Sequence, residues 1–152
     1  MPVKWVREPN LHLTLSFLGH ITDDSLKEIC GNVRSAAQNR NIFDIEFNKI
    51  EIGPAKGNPR FIWLTGAANE DLRQLQEELE KKLGIFIKEK REFHPHITLG
   101  RIRKHKWKAL SQRPEISEKF NLIVPADSAD IMASDFENEG TEYAIIQSYP
   151  LR

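Results

Sequence analysis

Alternation of apolar and polar positions marks the front of the chain. Across residues 11–18, Leu11, Leu13, Leu15 and Phe17 alternate with His12, Thr14 and Ser16, the period of a strand with one buried face. Gly19 closes the stretch and leaves His20 in a loop. Helical spacing follows. Leu26, Ile29, Val33 and Ala36-Ala37 predict an amphipathic helix over 23–38, with Thr22 as its N-cap and Asp23 and Asp24 in its first turn. Phe43, Ile45 and Phe47 then alternate with Asp44, Glu46 and Asn48; the parity shifts at Ile50 and Ile52, so a bulge is expected near Asn48-Lys49. A turn cluster from Gly53-Pro54 to Gly57-Asn58-Pro59 leads into a returning strand over 60–65.

Asn69 caps a second predicted helix, 70–83, with Leu72, Leu75, Leu79 and Leu83 inward and Gly84 as its stop. Residues 85–87 read as a short apolar strand and 88–92 as a charged turn. A second alternating strand carries His96-Ile97-Thr98-Leu99. Later strands are expected near 120–124, extending to Met132, and over 143–149. Hairpin-like strand pairs with helices on one side predict an α+β fold with antiparallel sheets and outer helices. At 152 residues the chain has the length of one domain, 1–152.

A formal net charge of zero means that any attraction for nucleic acid must come from a local patch. The single cysteine, Cys30, excludes an intrachain disulfide and falls beside the apolar face of the first helix, where it reads as a small core residue. No apolar run approaches membrane-spanning length and no signal-peptide pattern opens the sequence, so the expected location is cytoplasmic, with no membrane partner and no obligate protein partner evident.

The two alternating stretches share His-x-Thr-Leu: His12-Leu13-Thr14-Leu15 and His96-Ile97-Thr98-Leu99. Side chains two apart on a strand share a face roughly 7 Å apart, so each histidine sits beside a threonine hydroxyl. An imidazole moves a proton near neutral pH, and the hydroxyl donates to an oxyanion. Two such units point to in-line attack on phosphorus, with a base on one side and an acid on the other. The residues alone leave open which histidine takes which role.

Other chemistry fits less well. His94-Pro95-His96 invites a metal reading, but no His-Glu-x-x-His or cysteine-pair pattern completes a ligand set, so neither metal nor cofactor is expected. There is no Gly-x-x-x-x-Gly-Lys-Ser/Thr loop and no Gly-x-Ser-x-Gly elbow. Just past the second motif run Arg101, Arg103, Lys104, Lys106 and Lys108, interrupted by His105 and Trp107. Arg103, Lys104, Lys106 and Lys108 are candidates for RNA binding, with Trp107 as an aromatic on which a base stacks. Arg101 is a candidate for substrate phosphate, although strict alternation puts it on the face opposite His96 unless Gly100 ends or bulges the strand. Trp63 reads either as a core or lobe-interface residue, the commoner case, or as a base-stacking one.

The sequence resembles the 2H phosphoesterases, in particular the RNA 2′,3′-cyclic phosphodiesterase branch, also called 2′-5′ RNA ligase-like proteins. The resemblance rests on Trp5-Val6, on the run from Asn10 to Gly19, on the run from Phe93 to Arg101 and on the closing strand from Tyr143 to Leu151. It implies two lobes related by a pseudo-twofold, with a cleft between the His-x-Thr strands. The implied activity is metal-independent hydrolysis of RNA 2′,3′-cyclic phosphate ends to 2′-phosphate, with 2′-5′ RNA ligation as the reverse. His12 would be the proton donor, His96 the proton acceptor, and Thr14 and Thr98 the phosphate-binding hydroxyls. The implied partner is an RNA or oligonucleotide with a cyclic phosphate end. Two alternatives remain: a phosphodiesterase of 2′-5′ oligonucleotides or small cyclic nucleotides, and a non-catalytic RNA-binding module. Members of this branch usually begin with a further strand and helix before the segment matching Lys4-Trp5-Val6, so the chain is expected to be N-terminally truncated relative to them.

Overall fold

The computed structural model describes residues 1–54, 56–87, 93–137 and 140–152, with backbone alone for 135–137 and 140–142. The expected charged turn at 88–92 lies outside the described residues. Two compact units are present. The first comprises Met1–Thr14, Glu46–Ala68 and His94–Ile123; the second comprises Leu15–Ile45, Asn69–Phe93 and Val124–Arg152. Both His-x-Thr motifs belong to the first unit. The α+β class with antiparallel sheets is what the structure has. Among the described residues, no helix is long and apolar enough to cross a membrane.

The sheet of the first unit is built from β1 (Val3–Trp5), β2 (Phe43–Gly53), β3 (Phe61–Gly66), β4 (His96–Ile102) and β5 (Ser117–Ala126), in the order β1-β4-β3-β2-β5. Antiparallel pairing joins β1 to β4, β4 to β3 and β3 to β2. Alternation sends Ile62 and Leu64 of β3 to one face, where both are buried. Val3, Ile62, Ile102 and Trp107 form a core there, with Ile50, Ile52 and Leu99 packed against it. Each such side chain, fully buried, contributes roughly 1.5–3 kcal/mol, so this face anchors the sheet and leaves the other available for chemistry. The bulge expected near Asn48-Lys49 is present as a register shift between Phe47 and Lys49.

The second unit holds the two helices. In α1 (Asp23–Gln38), the Thr22 hydroxyl accepts from the Ser25 amide at 3.2 Å. In α2 (Glu70–Leu83), the Asn69 side chain accepts from the Leu72 amide at 2.9 Å and donates to the Asp44 carbonyl at 2.8 Å. Both caps satisfy amides that the helix leaves unpaired. Ile29, Val33, Ala36 and Ala37 of α1 meet Leu75, Leu79 and Leu83 of α2 in one core with Ala129, Ile131 and Leu151. Arg40 ties the helices at their edge, donating to Glu78 at 2.8 Å and to Gln74 at 2.9 Å. Cys30 packs against this core as expected. Its side chain, and after it burial, holds the Tyr149 hydroxyl above its usual pKa. The antiparallel pair β6 (Ser128–Glu137) and β7 (Gly140–Pro150) completes the unit.

Three expectations change. The strand expected over 11–18 forms one bridge only, Leu13 with Ile97. Alternation orients side chains, but a strand also needs a partner for its amides, and only Leu13 returns to β4 after a 3-10 turn at Glu8–Asn10. The strand expected over 85–87 is a turn. The Phe86 amide donates to Leu83 O at 2.8 Å and the Ile87 amide to Gly84 O at 3.4 Å, so those donors are consumed by the helix end. Gly84 itself keeps helical angles. The strand expected to extend from 120–124 to Met132 is two strands, β5 and β6, broken at Asp127, whose carbonyl accepts from the Leu151 amide at 2.8 Å.

Candidate active site

Strand register assembles the site on the open face of the first unit's sheet. The bridge between Leu13 and Ile97 is antiparallel, so its register sets His12 opposite Thr98 and Thr14 opposite His96. Directly opposed side chains lie about 5 Å apart at Cβ and diagonal ones about 7 Å. The two histidines therefore occupy one diagonal of a four-residue patch and the threonines the other. The motifs are brought together as the sequence predicts, crosswise rather than side by side.

Both imidazoles are held in the same way. His12 Nδ1 lies 2.7 Å from Asn10 O, and His96 Nδ1 lies 2.7 Å from His94 O. A carbonyl only accepts, so Nδ1 carries the hydrogen in each ring, and Nε2 is the nitrogen able to take or give a proton. The 3-10 turn at Glu8–Asn10 supplies one of these carbonyls, and the residue before Pro95 supplies the other. His94 thus serves His96 through its backbone.

Partners on β3 and β2 flank His96. In register, Thr65 pairs with His96, Trp63 with Thr98 and Phe61 with Arg101. The Trp63 ring stacks on the His96 imidazole, centroids 4.2 Å apart and planes 28° apart. Trp63 therefore contacts a candidate catalytic residue. Its ring is accommodated by Gly53 on β2, where a Cβ would lie 2.1 Å from Trp63 Cε3. On the same strand Glu51 accepts from Thr65 Oγ1 at 3.3 Å and pairs with Lys49 at 2.8 Å.

The conflict over Arg101 is resolved by a bulge. The β3–β4 register shifts between Ile62 and Trp63: Trp63 pairs with Thr98 but Ile62 with Gly100, so Leu99 is the extra residue and its carbonyl accepts from the Val6 amide at 2.8 Å. One inserted residue reverses parity and returns Arg101 to the face of Thr98 and His96. Gly100 fits because a Cβ there would press on Val3 Cγ1 at 2.8 Å and on the Trp5 ring. The Arg101 guanidinium lies over the Phe61 ring, 5.6 Å from its centroid.

Within the basic stretch, Trp107 departs from its reading. Residues Lys104–Lys108 form a short helix, α3. Trp107 is 5% exposed and belongs to the core with Val3, Ile62 and Ile102, so it offers no face to a base. Lys104 and Lys108 share one side of the helix, whereas Lys106, two positions away, points elsewhere. Arg103 donates to the Met1 carbonyl at 3.1 Å. These cations are exposed but do not form one stripe. Phe61 and Arg60, which no motif marked, lie on or beside the site face; their only signal was the alternation of Phe61, Trp63 and Thr65.

Comparison with known proteins places the chain in a family. A family model described as the 2′-5′ RNA ligase superfamily matches residues 3–135. The chain is 36% identical to the RNA 2′,3′-cyclic phosphodiesterase of Aeropyrum pernix over 68% of its own length and 59% of that protein. It is 28% identical to the enzyme of the same name from Aquifex aeolicus over 97% of its length and 81% of that protein. Among solved structures, TT0787 of Thermus thermophilus superposes with a TM-score of 0.84 at 25% identity, covering 99% of this chain and 83% of the other. E. coli LigT complexed with 3′-AMP superposes with a TM-score of 0.77 at 26% identity, covering 99% and 82%.

Proposed function

The chain belongs to the 2′-5′ RNA ligase superfamily, and from that premise we propose that it hydrolyses 2′,3′-cyclic phosphate ends of RNA to 2′-phosphates by metal-independent acid–base catalysis at His12 and His96. The observation that carries this reading is the duplicated imidazole, each with Nδ1–H committed to the carbonyl two residues back. The names of its relatives as RNA 2′,3′-cyclic phosphodiesterases support the substrate class.

In this mechanism His96 Nε2 takes a proton from water as the water oxygen bonds to phosphorus. The bond from phosphorus to the ribose 3′ oxygen breaks, and His12 Nε2 delivers its proton to that oxygen. Thr14 and Thr98 hydroxyls donate to the nonbridging oxygens as charge builds on them, and Arg101 contributes positive charge from the same face. Stacking of Trp63 on His96 supports its role as the base. An aromatic face favours the imidazolium, which a base becomes during the reaction and an acid ceases to be. Ligation of 2′-5′ ends is the same path in reverse.

The test uses purified protein, EDTA and an RNA ending in a 2′,3′-cyclic phosphate, with the product monoester identified by phosphorus NMR. A 2′-phosphate is expected, with activity falling on both sides of a pH optimum because one imidazole must start neutral and the other charged. His12→Ala and His96→Ala should each lose roughly 10²–10⁴ in kcat. Near-wild-type turnover by either variant, or activity that needs a restored divalent ion, would overturn the reading. Rates on 2′-5′ oligonucleotides and small cyclic nucleotides in the same assay rank the substrates.

A further inference from the structure

The short edge strand β1 brings a cation to the site face that no motif marks. β1 pairs with β4 in antiparallel register, Val3 with Ile102, Lys4 with Arg101 and Trp5 with Gly100. Val3 and Ile102 belong to the core, and a Cβ on Gly100 would press on both Val3 and the Trp5 ring. Val3 and Trp5 therefore take the core face, and alternation sets Lys4 on the open one, directly opposite Arg101. After the 3-10 turn the chain returns to the same edge of β4, Leu13 bridging Ile97 while Leu64 of β3 holds the other side. Lys4 and Arg101 thus form one row of the site face, and His12 and Thr98 the next.

Directly opposed side chains stand about 5 Å apart at Cβ, and like charges in that position destabilise a sheet. Lys49, on the same face of β2, is offset by Glu51 at 2.8 Å. Among the described residues, no carboxylate pairs with Lys4 or Arg101. Lys4 is half-buried, whereas Lys104, Lys106 and Lys108 are exposed. A cation kept beside another cation, on the face that carries both histidines, is a cost that an oxyanion near either head group offsets.

We propose that Lys4 is a substrate-binding residue of the active site, its ammonium set against the reacting phosphate beside the Arg101 guanidinium. This role rests on the reaction proposed above, in which Arg101 already faces that phosphate. A lysine ammonium is a compact charge with three donors on a flexible four-carbon stem, so from the adjoining strand it reaches the space that Arg101 serves. The cyclic ester carries one negative charge, and its phosphoryl oxygens gain a second as deprotonated water adds. A cation there binds the transition state more tightly than the substrate, so removing it should lower kcat as well as weaken binding.

The test compares the wild type with Lys4→Met, which keeps an unbranched stem without the charge, and Lys4→Arg, which keeps the charge. On 2′,3′-cyclic AMP, whose only phosphate is the reacting one, Lys4→Met should lose roughly tenfold or more in kcat/KM, the effect of a charge-assisted contact, and Lys4→Arg should recover most of it. Dinucleotides with a cyclic end should show the same loss whether their internal linkage is a phosphodiester or an uncharged methylphosphonate. Full activity of Lys4→Met on the mononucleotide, or a loss confined to the charged linkage, overturns the assignment. So does a loss that Lys4→Arg fails to recover, which marks a structural defect instead. Titration with inorganic phosphate followed by phosphorus NMR reads binding without turnover, and Lys4→Met should bind it roughly tenfold more weakly. That weakening in a protein that hydrolyses no cyclic ester would support the role of Lys4 and remove the proposed reaction; hydrolysis that Lys4→Met leaves unchanged would do the reverse.

Discussion

Replacing Trp63 with Leu removes the ring that lies on the His96 imidazole at 4.2 Å and on Phe61 at 6.0 Å. Aromatic stacking of this kind is worth about 0.5–1.5 kcal/mol beyond buried area, and a desolvated cation on an indole face gains up to about 2 kcal/mol. In the proposed mechanism the cation on His96 forms only as the water is deprotonated, so the loss falls on the transition state. A loss of about 1–2 kcal/mol lowers kcat roughly 5- to 30-fold while KM stays within about twofold. Truncating the ring also leaves space over Gly53, which costs about 2–4 kcal/mol of stability, or roughly 5–15 °C in Tm for a chain of this size. Trp63→Phe keeps an aromatic face and should hold kcat within about threefold, an expectation from the same stacking energies. Both variants remove a buried indole Nε1–H that has no acceptor among the described residues, but Phe refills more of the space, so its Tm should fall less than that of the Leu variant. Steady-state kinetics on 2′,3′-cyclic AMP, run well below both melting temperatures, measure the split. Wild-type kcat in Trp63→Leu, or a change confined to KM, would refute the account of Trp63 as the support of the base.

Two further outcomes follow from the same structure. Gly53→Val places a Cβ where the Trp63 ring now lies, 2.1–2.4 Å from three ring atoms. It should destabilise by about 1–3 kcal/mol in urea unfolding and lower kcat in the same sense as Trp63→Leu, with the double variant losing less than the sum. At the N-terminus of α2, Arg73 first and then Gln74 hold the Glu70 carboxyl down at about 2 against a usual 4.5. A carboxyl whose folded pKa is depressed contributes stability above its unfolded pKa and loses it as pH falls through the folded one. Glu70→Gln should therefore narrow the difference in unfolding midpoint between pH 6 and pH 2. The effect should be small, because the group is fully exposed and screened by solvent.

Features that depend on near neighbours in the chain were legible in the sequence. Both helices carry their own signals: a capping side chain, acidic first turns and apolar residues at helical spacing, whose burial the structure matches at Ile29, Val33, Leu75 and Leu79. The bulge after Phe47 showed as a parity shift in β2. The paired His-x-Thr motifs set each histidine beside a threonine hydroxyl by residue type and two-residue spacing alone, which is what the proposed proton transfer rests on.

What pairs with what depended on the tertiary structure. Alternation over 11–18 specifies a face but not a partner, and only Leu13 finds one, in Ile97. The crosswise arrangement of His12 with Thr98 and Thr14 with His96 follows from that single register. Arg101 reaches the site face because Leu99 is the extra residue of the β3–β4 bulge, its carbonyl taken by the Val6 amide, a parity change that depends on contacts between segments far apart in the chain. Trp107, flanked by lysines and so outwardly a surface residue, is buried because α3 folds it onto Val3, Ile62 and Ile102. Trp63 meets His96 only when β3 is laid beside β4. A strand's own sequence encodes its periodicity, whereas register, and with it the identity of every cross-strand neighbour, is decided by packing of the whole sheet.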